Sequence, residues 1–116
     1  MNFDGTEGFP PEVRLCHARE FDHVFRAATL RKRRGPLRLS AVANRMHTAR
    51  LGLVVGKRAL PKAHQRNRAK RVLRDTFRRR RRNLPPMDIV IRVTGPAPND
   101  LYRASLEALL SELHTS

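Results

Sequence analysis

The spacing of apolar residues changes period along the chain, and each change predicts an element. Residues 1–12 carry Gly5, Gly8, Pro10 and Pro11 with no period, which predicts a flexible N-terminal segment ahead of one domain over 13–116. Phe21, Val24, Phe25 and Ala28 then recur at helical spacing, with Glu20, Asp22 and Arg26 off the stripe, so a helix is expected over residues 18–28. Residues 30–35 hold Arg31-Lys32-Arg33-Arg34 and no apolar alternation, the pattern of a basic connecting loop. Leu37, Leu39 and Ala41 alternate with Arg38, Ser40 and Val42, and a second β-prone run covers residues 51–55. A polar stretch at 44–49 joins these two, so they are expected to form an antiparallel pair.

A longer helical pattern follows over residues 62–82, with Ala69, Val72, Leu73 and Phe77 on one stripe. Leu84-Pro85-Pro86 ends it, because proline supplies no backbone N–H and clashes with a preceding turn. Residues 89–93 read as a third strand. Gly95-Pro96-Ala97-Pro98 forms a stiff loop, and Asn99 or Asp100 is expected to cap a last helix. Leu106, Leu109, Leu110 and Leu113 make up its buried stripe.

Charge changes the picture most in the long helix. Residues 66–74 place five cations and one Asn in nine positions, yet keep an apolar stripe. Asn67, Lys70, Arg71, Arg74, Arg78 and Arg81 fall on a separate face, so one side can pack while the other presents guanidinium groups. A guanidinium is planar, permanently charged and bidentate toward phosphate. The whole chain of 116 residues has 25 Lys and Arg against 10 Asp and Glu, a formal net charge of +15. Such an excess repels itself without a polyanion nearby, and nucleic acid fits better than an anionic membrane surface. No apolar stretch approaches the roughly 20 residues that span a bilayer. The single cysteine, Cys16, excludes an intrachain disulfide and reads as a small buried or half-buried apolar residue in a reducing, cytoplasmic setting.

The residues argue for binding rather than catalysis. A metal-dependent nuclease needs several carboxylates converging on its cations. Here the acids are scattered, with no DxD or ExxE pair, and Asp75 reads as an ion-pair partner within the basic helix. The histidines show neither HxH nor HExxH spacing, and no phosphate-cradling glycine motif occurs. No catalytic residue and no metal ligand is therefore assigned. Phe21 and Phe25, one turn apart, have two readings: ordinary core residues, or a stacking surface for unpaired bases beside cations.

The segment from His64 to Asp75, His-Gln-Arg-Asn-Arg-Ala-Lys-Arg-Val-Leu-Arg-Asp, resembles the Arg-Asn-Arg signature of the bacterial ribonuclease P protein component. Arg14-Leu15, Phe21 to Phe25, Leu51 to Arg58, Asp88 to Ile91 and the Leu-rich terminal helix resemble that family's other blocks in order. The resemblance spans residues 12–113. It implies an α/β (α+β) single compact domain of order α-β-β-β-α-β-α with a left-handed β-α-β crossover. Only three strands are visible in the apolar pattern, and the fourth is sought near residues 55–58.

The resemblance also implies a function. This is the protein subunit of a ribonucleoprotein endonuclease that removes the 5′ leader from precursor tRNA, with the catalytic centre and its Mg2+ in the RNA subunit. Carried over by position, Arg66, Asn67, Arg68, Lys70, Arg71 and Arg74 would meet ribonuclease P RNA. Phe21, Phe25, Lys57 and Arg58 would line the cleft for the leader. Ser40 departs from the aromatic common on the family's first strand, and Val54 and Gly56 replace hydroxyl residues. Precursor tRNA and ribonuclease P RNA are the expected partners, without membrane or DNA. Two alternatives differ in kind: a structural RNA-binding protein of the ribosomal type, and a protein-only ribonuclease using His64 or another histidine.

Overall fold

Alternation decides the sheet. In the computed structural model, which describes residues 13–113, Leu37, Leu39 and Ala41 are buried on one face of a strand, while Arg38, Ser40 and Val42 turn to the other. That strand, β2 (Leu37–Ala43), sits second in a four-stranded sheet with β1 (Leu30–Arg34), β3 (Arg50–Val54) and β4 (Met87–Val93), in the order β1-β2-β4-β3. Among the described residues three α-helices accompany the sheet: α1 (Ala18–Ala27), α2 (Ala63–Arg80) and α3 (Asn99–Glu112). The order α-β-β-β-α-β-α is the one the resemblance implies.

Two expectations about the strands are corrected. The fourth strand is not at residues 55–58. It is β1, in the stretch read as a basic loop. Its side chains are almost all exposed, so periodicity could not reveal it. It is held by pairing with β2 through a two-residue Gly35-Pro36 connection, in which Gly35 takes φ 53°. A left-handed glycine at the first loop position suits a tight hairpin. Its cations also suit an edge strand, where charge discourages pairing with another chain.

The second correction concerns pairing. β2 and β3 are not neighbours, because β4 lies between them, antiparallel to β2 and parallel to β3. β4 is buried at six of its seven positions, and a run so uniformly apolar belongs between two partners rather than at an edge. The parallel β3–β4 pair requires a crossover, and α2 supplies it. The outer edge of β3 is covered in part by Arg14, which bridges to Leu51, and the Leu15 N–H donates to the Leu51 carbonyl at 3.0 Å.

The two faces of the sheet carry unequal loads. Leu37, Leu39, Leu51, Ile89 and Ile91 face α2 and α3, where Leu73, Phe77, Tyr102, Leu106 and Leu109 close the main core. The helix stripes predicted on α2 and α3 are all buried there. The opposite face carries a smaller cluster of Leu15, Val24 and Val90, with Phe21, Phe25, Val42 and Val54 half-buried around it. Of the described helices, only α1 lies over that face.

Smaller differences follow from local bonding. α3 starts at Asn99 with Pro98 as its cap residue, whose carbonyl accepts from the Leu101 and Tyr102 N–H groups at 3.1 and 3.2 Å. Asn99 and Asp100 therefore lie inside the first turn. Cys16 is exposed rather than buried, because it precedes α1 where the chain leaves the edge of β3. The flexible segment expected over 1–12 lies outside the described residues. No helix among them is long and apolar enough to cross a membrane.

Candidate nucleic-acid interface

α2 buries Ala69, Val72, Leu73, Thr76 and Phe77, and this fixes the direction of its other faces. Asn67, Arg71 and Arg78 are exposed, and Lys70 and Arg74 are half-exposed beside them. At 3.6 residues per turn these five lie along one side of the helix. Asp75 pairs with Arg78 at 2.7 Å and Arg79 at 3.3 Å, as its position in the sequence suggested.

Two of the motif's arginines are engaged elsewhere. Arg66 Nη1 donates to the carbonyls of Leu60 and Pro61, both at 2.9 Å, and so closes the turn that leads into α2. Arg68 Nη2 donates to the Ala97 carbonyl at 3.1 Å, tying α2 to the loop before α3. The six residues of the motif are therefore divided. Arg66 and Arg68 hold the helix in place, while Asn67, Lys70, Arg71 and Arg74 form its basic side.

On the other side of the sheet, Phe21 and Phe25 hang from α1. Phe21 lies over Gly52, so closely that a Cβ there would sit 2.6 Å from its ring. Phe25 stands beside Arg92, whose guanidinium carbon is 5.7 Å from the ring centroid, within cation–π range. Beyond Phe25 a groove of about 410 Å3 runs between α1 and the β1–β2 hairpin, lined also by Arg31, Arg38, Ser40 and Val90. Lys57 and Arg58 are exposed in the turn after β3 and do not line this groove.

A small cavity of about 100 Å3 links the two surfaces at the β3 edge, where Phe21, Arg14, Lys70 and Arg74 meet. The Arg14 Nε is buried there without a hydrogen-bond partner. Phe21 and the basic side of α2 are thus contiguous.

A polar lock holds α1 over the sheet. Arg50 donates from Nε and Nη2 to the two oxygens of Asp88, both at 2.8 Å, and from Nη1 to Glu20 Oε2 at 3.4 Å. Asn44 Nδ2 adds a bond to Asp88 at 2.8 Å. Glu20 Oε1 in turn accepts from the backbone N–H groups of Cys16 and His17, at 2.8 and 3.0 Å, satisfying donors at the start of α1. Burial pushes the Asp88 carboxyl upward, but the bonds from Arg50 and Asn44 outweigh it and hold the group below its ordinary value. Glu20 behaves alike: burial raises it, and the two backbone bonds and Arg50 bring it below the ordinary value. In the sequence Asp88 stands out only as the first residue of a block that resembles the family, and Arg50 not at all. Their sole signal is a charged residue at the start of each of two apolar strands.

The sequence model of the ribonuclease P family matches residues 9–114. The chain belongs to the ribonuclease P protein family. A ribonuclease P protein component from Halorhodospira halophila is 43% identical over 107 residues, covering 92% of this chain and 87% of that one. The ribonuclease P protein of Thermotoga maritima superposes with a TM-score of 0.75 at 28% identity, over 85% of this chain and 96% of that chain. The Staphylococcus aureus ribonuclease P protein gives a TM-score of 0.79 over 86% and 94% of the two chains. At 22% identity that likeness concerns the fold.

Within the ribonuclease P family context, four of the described acids are engaged by arginines rather than free to meet a cation. Mg2+ takes oxygen ligands in an octahedral set. Glu20 and Asp88 are bound to Arg50, Asp75 to two arginines, and Asp100 to Arg103. Among the described residues no three His, Cys, Asp or Glu side chains converge as metal ligands.

Proposed function

We infer that this chain is the protein subunit of ribonuclease P, joining the catalytic RNA to the 5′ leader of precursor tRNA. The observation that carries this reading is the contiguity of two surfaces around the β3 edge. The basic side of α2 and Phe21 of α1 meet at the cavity lined by Phe21, Lys70 and Arg74. A protein that bridges two RNAs needs two such faces held rigidly, and the sheet holds both.

On this reading Asn67, Lys70, Arg71 and Arg74 meet ribonuclease P RNA, with Arg66 and Arg68 positioning the helix that carries them. Phe21 and Phe25 face the leader. Lys57 and Arg58 add positive charge at the end of β3, outside the groove itself. Catalytic RNA and precursor tRNA repel each other as polyanions, and a basic wedge between them lowers that repulsion. Hydrolysis belongs to the RNA subunit and the magnesium it binds; no step is assigned to a side chain of this protein. The cytoplasm, where precursor tRNA is made, is the compartment this role requires.

The test is reconstitution at near-physiological magnesium. Protein, ribonuclease P RNA and a precursor tRNA carrying a 5′ leader are combined, and each macromolecule is omitted in turn. Cleavage at the mature 5′ end should depend on the RNA and be stimulated by the protein. The Asn67→Ala/Arg71→Ala double variant should fold normally and lose most of the stimulation. Cleavage by protein alone would move the chemistry onto its side chains, and an absence of stimulation would favour a purely structural RNA-binding role.

A further inference from the structure

Acid and base are unevenly shared along the chain. Residues 1–12 hold Asp4, Glu7 and Glu12 and none of the 25 Lys and Arg, so every cation lies after them. The family match begins at residue 9, and Asp4 and Glu7 lie ahead of it. The first described residues show from which side of the sheet this acidic segment sets out. Val13 is buried in the main core, with Ala69 and Leu73 of α2, whereas Leu15 belongs to the small cluster under α1. Between them Arg14 bridges to Leu51 at the edge of β3. The chain thus crosses that edge from the α2 side to the α1 side, and what precedes Val13 starts beside α2.

The surface nearest that point is the basic side of α2. Arg14, two positions after Glu12, shares the cavity at the β3 edge with Lys70 and Arg74. The one acid of α2, Asp75, is held by Arg78 and Arg79. Among the described residues neither Lys70 nor Arg71 pairs with a carboxylate. Distance is no obstacle. Twelve residues reach at most about 40 Å, and Asn67 to Arg78 covers only about 17 Å of helix axis. A segment tethered so close meets the helix at a millimolar effective concentration. Three exposed carboxylates, too weak to bind between separate molecules, can hold a face on those terms.

We propose that the acidic segment of residues 1–12 docks through Asp4, Glu7 and Glu12 on the basic side of α2 in the free protein, and that ribonuclease P RNA displaces it. This rests on the reading of that side as the RNA-subunit face. The segment is then a tethered competitor for the helix. Every polyanion that takes the face meets the same penalty, because the competent state is only partly populated. A tight complex survives that penalty, whereas a weak one falls below working concentrations. A chain of formal charge +15 attracts RNA of any kind, and the segment suppresses the weak part of that attraction.

The test reads the contact in the full-length free protein. A nitroxide spin label is attached at residue 2 by Asn2→Cys in a Cys16→Ser background, and backbone amide signals are recorded at low salt. The amides of Asn67, Lys70 and Arg71 should broaden, and that of Ala104, exposed on α3, should not. The broadening should fall sharply at high salt and in the Asp4→Asn/Glu7→Gln/Glu12→Gln protein. Equal broadening in that neutralised protein, or broadening over α1 instead, overturns the docking. So does broadening passed to a second, unlabelled copy in a mixture. The neutralised protein should also bind ribonuclease P RNA and an unrelated single-stranded RNA about fivefold to tenfold more tightly at low salt, each exposed ion pair being worth roughly a factor of two. Asp100→Asn/Glu107→Gln/Glu112→Gln changes the net charge equally and should gain less; an equal gain would trace the effect to net charge and overturn the proposal. If α2 does not broaden while Asn67→Ala/Arg71→Ala still weakens ribonuclease P RNA binding, the RNA-face reading stands and the docking falls. If that double variant binds the RNA as the wild type does, the reading falls and takes the displacement with it.

Discussion

At the scale of single residues, Gly52 shows how closely α1 approaches the sheet. Its position opposite Val90 leaves room for the Phe21 ring and for nothing more. Gly52→Ala would set a methyl group within 2.6 Å of that ring and 3.1 Å of Leu15 Cβ. Overpacking of this kind costs about 1–3 kcal/mol. A denaturant melt of Gly52→Ala should show that loss, and precursor tRNA binding should weaken with it as Phe21 is pushed aside. Wild-type stability would mean that the ring moves freely and is not fixed by the sheet. The glycine was visible in the sequence, but its use was not, because what it accommodates comes from a helix 31 positions earlier in the chain (Phe21 to Gly52). The same limit applies to Arg66 and Arg68. Their identity marked the motif, while their carbonyl partners at Leu60, Pro61 and Ala97 follow only from the folded chain.

At the scale of elements, buried stripes were readable and edges were not. α1, α2 and α3 and the strands β2 and β4 each show a hydrophobic period or run; the structure buries the stripes selected on α2 and α3, and on α1 it buries Val24 and leaves Phe21, Phe25 and Ala28 half-buried. β1 has no such pattern, since it is held by backbone pairing to β2 and by the Lys32–Glu112 bridge at 3.2 Å. The placement of β3 beside β4 likewise depends on a crossover that periodicity does not record. The hold on α1 is also an affair of elements, because Arg50 of β3, Asp88 of β4 and Glu20 of α1 meet in one network. The Arg50 and Asp88 side chains are only 17% and 7% exposed, so their pairing is of the buried kind. Removing one partner of such a pair costs about 3 kcal/mol or more. Both carboxyls sit below their ordinary values. Their contribution is therefore complete at neutral pH and is lost as pH falls through the lowered values, on the acid side of the ordinary carboxyl range. Asp88→Asn should lower stability at neutral pH and flatten this acid limb in a pH series of thermal melts. An acid limb as steep as that of the wild type would place the sensitivity elsewhere.

At the scale of the whole molecule, the formal charge of +15 is distributed rather than merely large. The acids of α3 are partly matched to neighbouring cations, as in Arg80–Glu107 and Arg103–Asp100. Other cations collect on the basic side of α2 and in the groove beside α1. Composition announced a polyanion partner, and the Arg-Asn-Arg segment announced a family. That the charge falls on two faces joined at the β3 edge became apparent only from topology. The proposed bridge holds the catalytic RNA on one face of one rigid protein and the leader on the other. Its most direct test is the preference for precursor over mature tRNA, measured as a ratio of dissociation constants for ribonuclease P RNA alone and for the RNA with this protein. The protein should raise this ratio, because only the precursor has a leader to contact. A ratio that is the same with and without the protein would contradict it.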